Sequence, residues 1–117
     1  MKNVTIYHNP RCSKSRETLA LLEQHGVQPD VVLYLETPPS VTQLTTLLQQ
    51  LGFSSARELM RKKEDLYKSL NLADDSLSEQ QLLQAMVENP KLIERPIVVK
   101  GKQARIGRPP EQVLDIL

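Results

Sequence analysis

The chain has 117 residues, 39% of them hydrophobic and 25% charged, with a formal net charge of +1. That length suits one core and is short for two, and the balanced charge excludes a chain that coats nucleic acid or is disordered by composition. Aromatics at 3% without tryptophan remove the stacking platforms of single-strand binders, one cysteine makes no internal disulfide, and one cysteine with two histidines cannot complete a four-ligand structural zinc site.

No apolar run approaches the ~18 residues that span a bilayer. Met1-Lys2 leads into strand alternation rather than a signal-peptide core, so the expectation is a cytoplasmic protein with no membrane attachment and no metal. "VTIYH" (4–8) alternates as a strand does, Asn9-Pro10 breaks it, and Ser13 or its neighbour opens a helix. Thr18, Leu19, Leu21 and Leu22 form the apolar face of that helix, and Gly26 supplies a left-handed end. "VVLYL" (31–35) is a continuous apolar run, which predicts a buried strand parallel to the first and joined to it through the helix.

Thr37-Pro38-Pro39 closes this unit, and three capping boxes follow. "SVTQ" (40–43) opens a helix carrying Leu44, Leu47, Leu48 and Leu51. "SARE" (55–58) opens a short helix expected to carry Leu59, Met60 and Arg61, and "SEQQ" (78–81) one with Leu82, Leu83, Met86 and Val87. After Glu94-Arg95-Pro96, "IVV" (97–99), a turn at Lys100-Gly101 and "QARI" (103–106) read as an antiparallel hairpin. Pro109-Pro110 starts a last helix through Val113, Leu114 and Leu117. The order is β-α-β, a helical block, then β-β-α. It predicts an α/β fold with a thioredoxin-like mixed sheet, as a single domain over residues 1–117 with a helical insertion at about 40–93. No apolar stripe is left over once the core is filled, which predicts a monomer.

The lone cysteine, Cys12, falls where the turn after the first strand meets the first helix, and "YHNPRCSKSRE" surrounds it with Arg11, Lys14 and Arg16 before any acid. A helix N-terminus carries about half a positive charge and unpaired amides, which favour thiolate over thiol. Cations placed there oppose the helix dipole unless the turn holds an anion, either the thiolate or a bound oxyanion. His8 can orient or deprotonate the thiol, or be a satisfied strand-end residue; Ser15 can bond the sulfur or an amide of the first turn. "CSKS" puts Ser15 where a dithiol motif has its second cysteine. An oxidised or adducted Cys12 therefore has to be discharged by an outside thiol, glutathione or a small redox protein.

"IYHNPRCSKSR", "VLYLETPP", "ARELMRKKEDLY", "ERPIVV" and "ARIGRPPE" together resemble, in order and over essentially the whole chain, the glutaredoxin-coupled, ArsC-type arsenate reductases of thioredoxin-like fold. The resemblance implies that Cys12 attacks arsenate or a similar oxyanion and that Arg61, Arg95 and Arg108 hold it, with His8 and Ser15 tuning the nucleophile. It implies no tightly bound cofactor, glutathione as co-substrate and glutaredoxin as partner. It also implies a cis Arg95-Pro96 bond opposite the cysteine. Arginine suits the task because its planar, permanently charged fork pairs with tetrahedral oxyanions, although each of the three taken alone reads more readily as a surface charge. Well-known members carry a small residue before the cysteine and Gly-Thr after it, where this chain has Arg11, Ser13 and Lys14. Two other readings of the same fold are a monothiol glutathione-dependent oxidoreductase and a redox-sensing regulator without turnover.

Overall fold

The computed structural model describes residues 4–117; Met1 and Lys2, expected to lead into the first strand, lie outside the described residues. The chain divides into two compact units, one holding residues as far as Thr37 together with Arg95–Leu117, the other Pro38–Glu94.

The first unit is built on a four-stranded sheet in the order β2-β1-β3-β4. Strand β1 (Val4–Tyr7) alternates buried Val4 and Ile6 with half-buried Thr5 and Tyr7, so one face of the sheet is apolar. It runs parallel to β2 (Asp30–Val32), with Ile6 opposite Val31, and antiparallel to β3 (Ile97–Lys100), with Ile6 opposite Val98. Strand β4 (Gln103–Ile106) returns antiparallel to β3 as a hairpin. Helix α1 (Ser13–Gln24) links β1 to β2 and ends at Gly26, whose φ of +76° allows the Val27 amide to reach back to the Leu22 carbonyl at 2.9 Å. Val4, Ile6 and Val98 from the sheet, Leu22 and Val27 from the helical connection, and Val113 and Ile116 from the C-terminal segment form one core cluster. Each such side chain contributes roughly 1.5–3 kcal/mol by leaving water.

Strand β2 is not the buried run expected over 31–35. It is a three-residue edge strand with a hydrogen-bonded neighbour on one side, so Val31 is 46% and Leu35 39% exposed. From Leu33 the chain turns, with the Glu36 and Thr37 amides both on the Leu33 carbonyl at 2.9 Å, and Tyr34 alone of this stretch is deeply buried. The last segment, Pro110–Ile116, is a 3₁₀ helix rather than an α-helix. Both Arg95-Pro96, as expected, and Arg108-Pro109, which was not, are cis.

The second unit is helical. Helix α2 (Val41–Leu51) and helix α4 (Glu79–Glu88) pack on one another through faces that bury Leu44, Leu47 and Leu48 on one and Leu82, Leu83 and Met86 on the other. Between them lie a 3₁₀ turn (Ala56–Leu59) and the short helix α3 (Asp65–Ser69), the latter unforeseen because five residues are too few to show a period. The "SARE" helix stops at Leu59: Met60 turns extended and bridges Ile93, which leaves Met60 and Arg61 outside it.

Candidate active site

The turn before α1 is folded by its own polar groups. The Asn9 side-chain oxygen accepts from the Arg11 amide at 3.0 Å and the Asn9 carbonyl from the Cys12 amide at 3.0 Å, so the chain reverses onto the helix start. Cys12 is the N-cap residue, extended at φ −95° and ψ 123°, and partly exposed. Its sulfur closes no cap hydrogen bond of full geometry, and the first turn of α1 has no acid. Free amides at this helix end therefore face the sulfur.

The opposite wall comes from the two ends of the β3–β4 hairpin. The Gly107 amide donates to the Pro96 carbonyl at 3.0 Å, tying the residue after β4 to the residue before β3. Arg108 then folds across: its Nε donates to the Arg95 carbonyl at 2.8 Å and one terminal nitrogen to Cys12 Sγ at 3.6 Å. Gly107 makes this possible, since a Cβ there would overlap Thr18 Oγ1 and sit 2.9 Å from Pro96 Cγ. Thr18 cannot easily yield, being fully buried with its hydroxyl donating to the Lys14 carbonyl at 2.7 Å.

Burial alone pushes the Cys12 thiol up, but the Ser15 amide, the Arg95 guanidinium, the Lys14 amide and the Arg108 guanidinium together bring it below the ordinary thiol value. These groups favour the thiolate, the nucleophilic form, over the thiol.

His8 and Ser15 support the site from beneath. His8 is 6% exposed and Ser15 fully buried, with His8 Nδ1 2.6 Å from Ser15 Oγ. The Asn9 amide donates to the same hydroxyl at 3.0 Å. Ser15 therefore meets the sulfur through its backbone amide and His8 through its side chain, and His8 is engaged with Ser15. Burial, and then the charge of Arg16, lower the His8 pKa, which favours neutral imidazole.

Two of the three local cations, Lys14 and Arg16, have other partners. Lys14 pairs with Glu17 at 3.8 Å, and Arg16 donates to the Pro10 carbonyl at 2.9 Å. The guanidiniums acting on the thiol come instead from Arg95 and Arg108, more than eighty residues away in sequence. Arg61 belongs to the helical unit, where its amide donates to the Leu92 carbonyl at 2.7 Å and its guanidinium meets Glu64 at 3.2 Å. Gly107 and Thr18 escaped the sequence reading; a glycine directly after the "QARI" strand was the available signal of a close backbone approach. Among the described residues no group of three or more His, Cys, Asp or Glu side chains is placed to hold a metal ion, and no helix is long and apolar enough to cross a membrane.

A cysteine at a helix tip, with guanidiniums from a neighbouring hairpin and a four-stranded mixed sheet behind it, defines a class of α/β proteins whose helix start suits an anion. Within that class the chain belongs to the ArsC family, whose model matches residues 7–116. The chain is 72% identical over 116 residues to "Uncharacterized protein YfgD" of Escherichia coli K12, covering 99% of this chain and 98% of that protein. It is 56% identical over 115 residues to an arsenate reductase of Haemophilus influenzae, covering 98% and 99%. The solved structure of an arsenate reductase from Vibrio cholerae, 66% identical and covering 97% of each chain, superposes with a TM-score of 0.96.

Proposed function

We propose that the protein reduces arsenate to arsenite through a Cys12 thiol adduct, with glutathione and glutaredoxin as the source of electrons. The observation that carries this reading is the Arg108 guanidinium at 3.6 Å from a thiol held below its ordinary pKa. The names of the Haemophilus and Vibrio relatives support arsenate as the oxyanion.

The Cys12 thiolate attacks arsenic(V), a sulfur–arsenic bond forms, and an arsenate oxygen leaves as water after protonation. Arg95 and Arg108, with the amides of α1, balance the oxyanion's charge as it builds. Arg61 completes the guanidinium set in this reading, as the family resemblance implies. A glutathione thiolate then attacks Cys12 Sγ, and the sulfur–arsenic pair passes to arsenic. Arsenic(III) departs as arsenite, two thiols having supplied its two electrons by joining as a mixed disulfide. Cys12 has no internal partner thiol, the chain having one cysteine, so glutaredoxin clears this disulfide. The reduced glutathione required places the reaction in the cytoplasm.

The test is NADPH oxidation by the purified protein with glutathione, glutaredoxin and glutathione reductase, with and without arsenate. Arsenate-dependent oxidation, abolished in Cys12→Ala and Cys12→Ser alike, is the expected result. Oxidation driven by a glutathionylated peptide without arsenate would instead assign a monothiol oxidoreductase, and absence of turnover with either substrate a regulator.

A further inference from the structure

Arg16 lies in the first turn of α1, yet its side chain turns back over the preceding loop. Its Nη1 donates to the Pro10 carbonyl at 2.9 Å, while its backbone amide donates to the Cys12 carbonyl at 3.0 Å. The two bonds bracket the cysteine, one on its own carbonyl and one on the carbonyl two residues earlier. Inside this bracket Asn9 closes the turn onto Cys12 and takes its own amide to Ser15 Oγ, so the loop is fastened to the helix at both Pro10 and Asn9. The Arg16 charge also lowers the pKa of His8, the hydrogen-bond partner of Ser15.

We propose that Arg16 is a positioning residue for Cys12, fastening the Asn9–Cys12 turn to the first turn of α1 through the Pro10 carbonyl so that the sulfur stays at the helix tip beside Arg108. The role rests on Cys12 being the nucleophile of the proposed reaction. It differs from a direct effect of Arg16 charge on the sulfur, because a hydrogen-bonded clasp is a geometric restraint and survives salt, whereas a charge acting at a distance is screened.

The experiment follows Cys12 alkylation by iodoacetamide against pH in the full chain and in Arg16→Ala and Arg16→Lys, at low salt and in ~1 M sodium chloride, where the Debye length is about 3 Å. Thermal melting of each variant confirms folding. Arg16→Ala is expected to raise the pH of half-maximal alkylation and to slow the neutral-pH reaction about three- to tenfold, the effect of losing one ordinary hydrogen bond, since the bond to the Pro10 carbonyl is exposed to solvent. The defect persists at high salt, and Arg16→Lys, which keeps a donor of similar reach, restores most of the rate. An unchanged alkylation profile in Arg16→Ala, or a defect that disappears in high salt, overturns the proposal. Alkylation needs neither arsenate nor glutathione, so either outcome is separate from whether arsenate is the substrate.

Discussion

Four helical segments begin on a serine or a cysteine, and they begin differently in the two units. In the helical unit the hydroxyls of Ser40, Ser55 and Ser78 each accept a backbone amide, and Gln43, Glu58 and Gln81 return the bond to the N-cap amide at 2.9, 2.9 and 2.7 Å. In the sheet unit α1 begins on Cys12, with no side-chain cap bond and with Lys14 and Arg16 where a stabilising acid would sit. The three serine starts follow the local rule for helix stability, and the cysteine start departs from it. What the departure gains is a set of uncommitted amides aimed at a sulfur, which lowers the thiol pKa together with Arg95 and Arg108. A broken local rule with a chemical gain is the mark of a functional position.

The largest effect comes from making the odd start conform. Cys12→Ser installs one of the best N-cap residues in place of a poor one, and unfolding free energy should rise by about 0.5–1 kcal/mol. The proposed arsenate reduction should at the same time fall to background, because a hydroxyl neither ionises near neutral pH nor forms the thiol adduct. Denaturant unfolding and the coupled assay, run on one preparation, measure both. A variant that loses activity and stability together would mean that the sulfur serves the fold.

The sheet unit and the helical unit were also unequally legible from sequence. Capping boxes are short-range patterns, so the starts at Ser40, Ser55 and Ser78 were read to the residue. The hairpin at 97–106 was read nearly as well, since alternation and a glycine turn are local too. The burial of β2 was misread because an apolar run tells nothing of whether a second strand lies beside it, and β2 is at the edge. The same limit applies to the site. Cys12 was legible from its turn, but two of the three cations beside it in sequence, Lys14 and Arg16, turned out to serve Glu17 and the Pro10 carbonyl. That Arg108 meets the sulfur depends on the Gly107–Pro96 bond between hairpin ends, which is tertiary information no local pattern carries.

Gly107→Ala tests that dependence. The added methyl has to displace buried Thr18 or Pro96, at a cost of about 1–3 kcal/mol for an overpacked interior. Arg108, one residue on, should move with it, so slower Cys12 alkylation at neutral pH should accompany the lower melting temperature. A variant that melts early but alkylates as the parent does would detach Arg108 from the ionisation of Cys12. In the other unit, Ser78→Ala removes the cap bond of α4 and should cost about 1 kcal/mol. It should leave the Cys12 alkylation profile unchanged, which sharpens the contrast between a cap that only stabilises and one that carries chemistry.

The smallest effect is a pH dependence of stability that distinguishes the two kinds of cap. Since the Cys12 thiol titrates lower in the folded chain than an ordinary thiol, a pH interval exists in which the folded state has lost this proton and the unfolded state still holds it. There the unfolded state binds more protons, and stability rises with pH. The contribution is complete above the ordinary thiol value, near 9, and is gone once the pH falls through the lower folded value. His8, lowered by burial and by Arg16, shapes the acid side in the same sense, because the unfolded histidine takes its proton first as pH falls. Subtracting the stability of Cys12→Ser from that of the parent removes the histidine and leaves the thiol. The difference should move in the parent's favour from neutral to alkaline pH, by a modest amount because the sulfur is partly exposed to solvent. Denaturant unfolding of both proteins over that range measures it. A difference that stays flat would mean that the amides of α1 and the two guanidiniums hold the thiolate no better than water does.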